Sequence, residues 1–170
     1  MNVELDAKER GALLNIAESC LCSKTRKAAR VVTRFYDRHF AGTGLEPAQF
    51  TILVGIRLTE PVPTARLAEH LGLDRTTFTR NLGVLERDGL VIVERGADAR
   101  QRLISLTAEG RRRLKAAFPR WEQAQQAAIS ALGKQNFSDL SAALSLPAEF
   151  NKPDRNESKH EKSKHQQSNS

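Results

Sequence analysis

Between Thr64 and Leu106 the chain carries two short helix-forming stretches and then two β-branched runs, an order that few folds accommodate. The second stretch constrains most. Asp74 is placed to cap a helix, because its carboxylate can accept from the free N–H groups of a first turn. Phe78, Leu82 and Leu85 fall at i, i+4 and i+7 and make one apolar stripe. Gly89 follows the last turn and suits a C′ position. Upstream, Thr64 is expected to cap a short helix through Leu67, Ala68 and Leu71, which Gly72 ends. Only Leu73-Asp74 separates the two, so together they form a helix-turn-helix candidate.

The run Leu90-Val-Ile-Val-Glu-Arg95 and the run Arg102-Leu-Ile-Ser-Leu106 read as strands, and the small polar stretch 96–101 between them reads as the loop of a β-hairpin. A helix-turn-helix followed at once by a basic hairpin is a winged helix. The spacing predicts a long helix from about Ser19 to Phe40, ended by Gly42 and Gly44, and another beginning at Pro47, where a missing N–H costs nothing. Glu60-Pro-Val-Pro63 breaks that second helix. Thr107 is expected to cap a further helix that Pro119 kinks and Gly133 ends, before a last short helix stopped by Pro147. The expected fold class is mainly α with a small β-hairpin wing: a winged helix-turn-helix plus a helical dimerisation region. The expected boundaries are an N-terminal arm at 1–19, dimerisation helices at 20–45 and 107–147, a DNA-binding lobe at 46–106, and a disordered tail at 148–170. The tail has no apolar residue after Phe150 and cannot offset its ordering entropy by burial.

Charge separates the candidate functions. The chain of 170 residues has a net charge of +7. From Cys20 to Pro119 there are 18 Lys and Arg against 10 Asp and Glu, whereas the first 19 residues have 2 against 4. The excess therefore lies on the region holding the helix-turn-helix, which points to an anionic partner. The helix beginning at Asp74 turns Arg75, Thr76, Thr79 and Arg80 away from its apolar stripe, with Thr77 at the margin. Guanidinium and hydroxyl groups gathered at a helix N-terminus suit phosphates and base edges. Arg95, Asp98 and Arg100 lie on the hairpin, and an arginine at its tip can enter a narrow, negative minor groove. No apolar run reaches the ~20 residues needed to span a bilayer, and the acidic N-terminus lacks the order of a signal peptide. Two cysteines make no disulfide framework, and the cytoplasm is the expected location.

In this order the segments resemble the multiple antibiotic resistance regulator (MarR) family of bacterial transcription factors. The residues that carry the resemblance are Gly44-Leu-Glu-Pro-Ala-Gln-Phe50, Leu67-Ala-Glu-His-Leu71, Thr76-Thr-Phe-Thr-Arg80, Leu85-Glu-Arg-Asp-Gly-Leu-Val91, and Asp98-Ala-Arg100 followed after five residues by Leu106-Thr-Ala-Glu-Gly110. The resemblance covers about Cys22 to Leu132. It implies a homodimer of winged helices on a pseudopalindromic double-stranded DNA operator, usually a repressor released by a small-molecule effector or by oxidation. It implies that Arg100 is the minor-groove residue, that Asp98 orients a wing arginine, and that Thr76, Thr77 and Arg80 face the major groove. Phe118, Trp121, Leu132, Phe137 and Leu140 are natural contributors to an isologous interface.

Cys20 and Cys22 are redox candidates, with Lys24 and Arg26 near enough in sequence to favour a thiolate. On one helix the two side chains point about 200° apart and cannot bridge without unwinding; the plainer role is a small residue in a dimer interface. By chain position Tyr36, His39, Phe40 and Phe50 are ligand-pocket candidates. Arg111, Arg112, Arg113 and Lys115 are expected to be solvated or near phosphate. No metal site, cofactor motif or catalytic constellation stands out. The alternative to a specific DNA reader is a winged helix used for protein contacts or for non-specific nucleic-acid binding. The strand segments 91–93 and 103–105 hold no aromatic residue for base stacking.

Overall fold

The computed structural model describes residues 6–96, 98 and 101–145. Arg100 and the tail expected from residue 148 lie outside the described residues. The order is α1 (Ala7–Ser19), α2 (Leu21–Phe40), α3 (Pro47–Thr59), β1 (Val62–Pro63), α4 (Thr64–His70), α5 (Arg75–Arg87), β2 (Val91–Arg95), β3 (Arg102–Leu106), α6 (Ala108–Leu132) and α7 (Lys134–Leu144). The architecture is mainly helical with one small antiparallel sheet, a winged helix-turn-helix.

Local chemistry sets most of these bounds. Pro47 opens α3, where Glu46 and Gln49 form a reciprocal capping box: Gln49 Oε1 accepts from the Glu46 N–H at 2.9 Å. Gly89 ends α5 with φ +69°, a conformation that L side chains resist. Thr107 caps α6 as expected, its hydroxyl oxygen accepting from the Gly110 N–H at 2.9 Å. The helix continues through Pro119.

Four local expectations change. Residues 7–19 are a formed helix, capped by the Asp6 carboxylate on the Glu9 N–H at 2.8 Å, although it buries none of its residues. Thr64 is the first residue of α4; Pro63 occupies the cap position and no side chain bonds there. Val62–Pro63, read from sequence only as a helix breaker, is a strand. It pairs antiparallel with β3, Val62 facing Ile104, so the sheet order is β1-β3-β2. Cys20 lies outside any helix, between α1 and α2, with φ −61° and ψ 108°.

The core of the winged helix-turn-helix sits where α3, α4, α5 and the sheet meet. Ile52, Leu53, Ile56, Leu67, Leu85 and Ile104 are its largest fully buried side chains. Each contributes on the order of 1.5–3 kcal/mol by leaving water. The chain divides into two compact units, residues 1–126 and 127–170, with the boundary inside α6.

Candidate nucleic-acid interface

α5 buries Phe78, Leu82 and Leu85 against the core, and this fixes which way its other side chains face. Arg75, Thr76, Thr79 and Arg80 are all exposed. Thr77 is half-buried and part of the cap: its N–H and its hydroxyl donate to the two oxygens of Asp74, at 2.9 and 2.7 Å. These bonds hold the Asp74 carboxyl below its usual range, the Thr77 hydroxyl first among the causes. Asn81 Nδ2 donates to the Thr77 carbonyl at 2.9 Å. Arg87 pairs with Asp88 at 3.1 Å, so the uncommitted cations of α5 are those of its first two turns.

The wing adds a second cationic group. β2 and β3 pair so that Arg95 lies directly opposite Arg102, beside the closing bond from the Gly96 N–H to the Gln101 carbonyl at 2.8 Å. Directly opposed residues of an antiparallel pair share a face, and like charges there repel. Arg75, Arg80, Arg95 and Arg102 are exposed, and among the described residues none of them forms an ion pair. Arg102 was legible as a strand residue, but its place opposite Arg95 comes from the register. Asp98 is exposed on the loop between the strands. Arg100 lies outside the described residues.

Two joints hold this surface to α6. At the first, the Thr107 N–H donates to the Leu90 carbonyl at 3.1 Å and the Thr107 hydroxyl to the Gly89 carbonyl at 2.7 Å, which ties the end of α5 to the start of α6. Gly110 lies so close that a Cβ there would collide with the Leu90 carbonyl oxygen. At the second, Glu60, at the end of α3, accepts from the Leu106 N–H at 2.7 Å and from Arg111 Nη2 at 3.0 Å, while Arg111 Nη1 donates to the Leu106 carbonyl at 2.7 Å. Arg111 is therefore a clasp between α3, β3 and α6, and its side chain is still 47% exposed, in keeping with the expectation that it stays solvated. Arg112 and Arg113 likewise bond Glu109. The pair draws the Glu109 carboxyl down to about 2, Arg112 contributing most.

Three of the four pocket candidates meet. Tyr36, Phe40 and Phe50 line a cavity of about 300 Å³ between α2, α3 and α6, with Trp121 on its wall. An adjoining cavity of about 450 Å³ shares Phe50, Thr51 and Trp121 and adds Val54, Phe118 and Glu122. The Tyr36 hydroxyl donates to Gln125 Oε1 at 2.6 Å, and burial raises its pKa. His39 does not line the cavity; its Nδ1 lies 2.9 Å from the Phe35 carbonyl and its ring packs on Phe35. Phe118 and Trp121, expected at a dimer interface, form cavity wall in this chain. Cys22 is exposed and Cys20 half-buried. Among the described residues no group of three or more His, Cys, Asp or Glu could hold a metal ion, and no helix is long and apolar enough to cross a membrane.

Comparison with known proteins gives a consistent picture. The MarR family model matches residues 43–102. The structure of the Mycobacterium tuberculosis transcriptional regulator MosR in complex with DNA is 40% identical, with a TM-score of 0.64, over 75% of this chain and 97% of that one. The transcriptional repressor CouR, bound to a 23-mer DNA duplex, is 25% identical, with a TM-score of 0.70, over 84% of this chain and 96% of its own. A Bacillus subtilis HTH-type transcriptional regulator, YwoH, is 26% identical over 55% of this chain and 68% of its own length.

Proposed function

This chain belongs to the MarR family of transcriptional regulators, and from that premise we propose how it acts on DNA. Two copies associate, so that two α5 helices reach half-sites about one helical turn apart on a pseudopalindromic duplex. Arg75, Thr76, Thr79 and Arg80 face the major groove, with Thr77 holding the helix start. Arg95, Arg102 and Arg100 serve the wing in the adjoining minor groove, with Asp98 orienting an arginine there. The observation that carries this reading is the exposed cationic surface of Arg75, Arg80, Arg95 and Arg102, none of which forms an ion pair among the described residues. In particular, an opposed arginine pair repels itself in the free protein and is relieved by a polyanion. Leu21, Val31 and Val32 on α2, and separately Leu132 and Leu140, are exposed apolar side chains that a second copy can cover.

Binding represses transcription in the cytoplasm, and a small ligand in the Tyr36–Phe50 cavity releases the duplex. Cysteine oxidation is a second route to release. The position of Cys20 outside the helices supports it, because only the first turn of α2 has to yield for Cys20 and Cys22 to approach. Peroxide should then lower DNA affinity, and Cys20→Ser or Cys22→Ser should remove that loss; an unchanged response in both variants eliminates the route.

The decisive experiment selects bound duplexes from a random pool and titrates the recovered sequence against unrelated DNA across a salt series. A recovered palindrome that outcompetes random duplex is expected. Affinity should fall steeply with salt, log K by about 0.9 per phosphate contact for each decade. Equal binding of both duplexes at every salt concentration refutes the proposal.

A further inference from the structure

The cavity walls have a charge pattern opposite to that of the chain. The protein carries +7 overall, yet among the described residues lining the two adjoining cavities there is no Lys, Arg or His, and the one carboxylic acid is Glu122. The larger open hollow beside them, about 650 Å³, is bordered by Asp37, Glu46 and Asp88, with the Arg113 guanidinium lying against Gly44 at its edge. The N-terminus of α3 opens onto the first cavity, a position that ordinarily favours an anion. Here that end is already served: the Glu46 carboxylate accepts from the N3 backbone N–H, and Pro47 has no N–H to offer.

Two of the hydroxyl groups on the walls are also committed. Tyr36 donates to Gln125 and Thr51 donates to the Pro47 carbonyl at 3.0 Å, so both present lone pairs, not protons, to a ligand. The side-chain donors left are the Thr33 hydroxyl and the Trp121 indole N–H, both neutral. A carboxylate entering this site would give up its water for neutral donors only, the Thr33 hydroxyl and Trp121 N–H among the side chains, beside Glu122. An uncharged molecule would lose little and would gain the ring faces of Phe50, Phe118 and Trp121, with Phe50 and Phe118 set edge to face at 6.1 Å.

We propose that this cavity takes an uncharged aromatic ligand and rejects aromatic carboxylates of the same shape. The proposal rests on the reading of the cavity as the effector site and adds the charge class of its ligand.

Cinnamamide and cinnamate differ in charge at nearly constant shape. Each is titrated by calorimetry into the full chain near neutral pH, and emission of the sole tryptophan, Trp121, reports occupancy of the wall. The amide should bind at least tenfold more tightly than the carboxylate and change Trp121 emission. Thr51→Arg, which adds a cation at an exposed lining position, should reverse the order, and Ala48→Arg on the same rim provides a second variant. Cinnamate binding as tightly as the amide, or neither compound altering Trp121 emission at millimolar concentration, overturns the proposal. Retention of the selected duplex separates the two claims. A preferred amide that leaves DNA binding unchanged removes the effector reading and keeps the charge class. A cinnamate that binds more tightly and releases DNA does the reverse.

Discussion

At the residue scale, Gly110 and Asp74 fix the pose of α5 from its two ends. Gly110 faces the Leu90 carbonyl, which is backbone and cannot swing aside. Gly110→Ala should therefore destabilise the fold by about 1–3 kcal/mol, seen as an earlier midpoint in urea unfolding. Asp74 has a folded pKa below its ordinary one. Its contribution is present above the ordinary carboxylate pKa and is lost as pH falls through the folded value. Asp74→Ala should thus lower the melting temperature near neutral pH, and the gap to the parent should close as pH falls through the lowered folded pKa of Asp74. At Arg80 the question is specificity: if it reads a base, Arg80→Ala relaxes sequence choice by about 1–3 kcal/mol at that position, measured with single-base operator variants. Asp74 and Arg80 were legible from the sequence because capping and periodicity are local, whereas the approach of Gly110 to Leu90 was not, because it joins separate segments. Thr77 was less so, since its type suits a groove as well as a cap and the half-buried geometry decides its bonds.

At the element scale, the wing and the clasp at its base answer different measurements. Arg95 and Arg102 oppose each other across β2 and β3. Arg102→Gln should raise stability by about 0.2–1 kcal/mol by removing the repulsion, while weakening DNA binding and reducing the salt slope by about 1. Loss of affinity without the stability gain would show that the pair does not repel. Arg111 belongs to folding: Arg111→Ala removes its bonds to Glu60 and to the Leu106 carbonyl and should cost about 1.5–3 kcal/mol of stability. No periodicity could show this clasp, because Glu60 and Arg111 are 51 residues apart in sequence. β1 escaped for a related reason: two residues, one of them a proline, have no period, and pairing with β3 makes them a strand.

At the scale of the whole molecule, the expected dimer sets affinity. Val31 and Val32 are exposed on α2, and charging both, as Val31→Glu with Val32→Glu, should shift the protein toward monomer in sedimentation experiments. Linked half-sites exceed single-site affinity by about 10²–10⁴, so operator binding should fall by a comparable factor. A variant that stays dimeric with full affinity would place the interface elsewhere.

The sequence by itself determined the order of elements from α2 onward apart from β1, the stripe that orients α5 and the chemistry of its exposed face, because caps, glycines, prolines and helical spacing act within a few residues. Only tertiary structure decided that Arg95 meets Arg102, that Arg111 clasps Glu60, and that Tyr36, Phe50 and Trp121 wall one cavity with no cation among its described lining residues. Those facts depend on register and on the meeting of α2, α3 and α6, and a contact between distant segments leaves no periodic trace in either one.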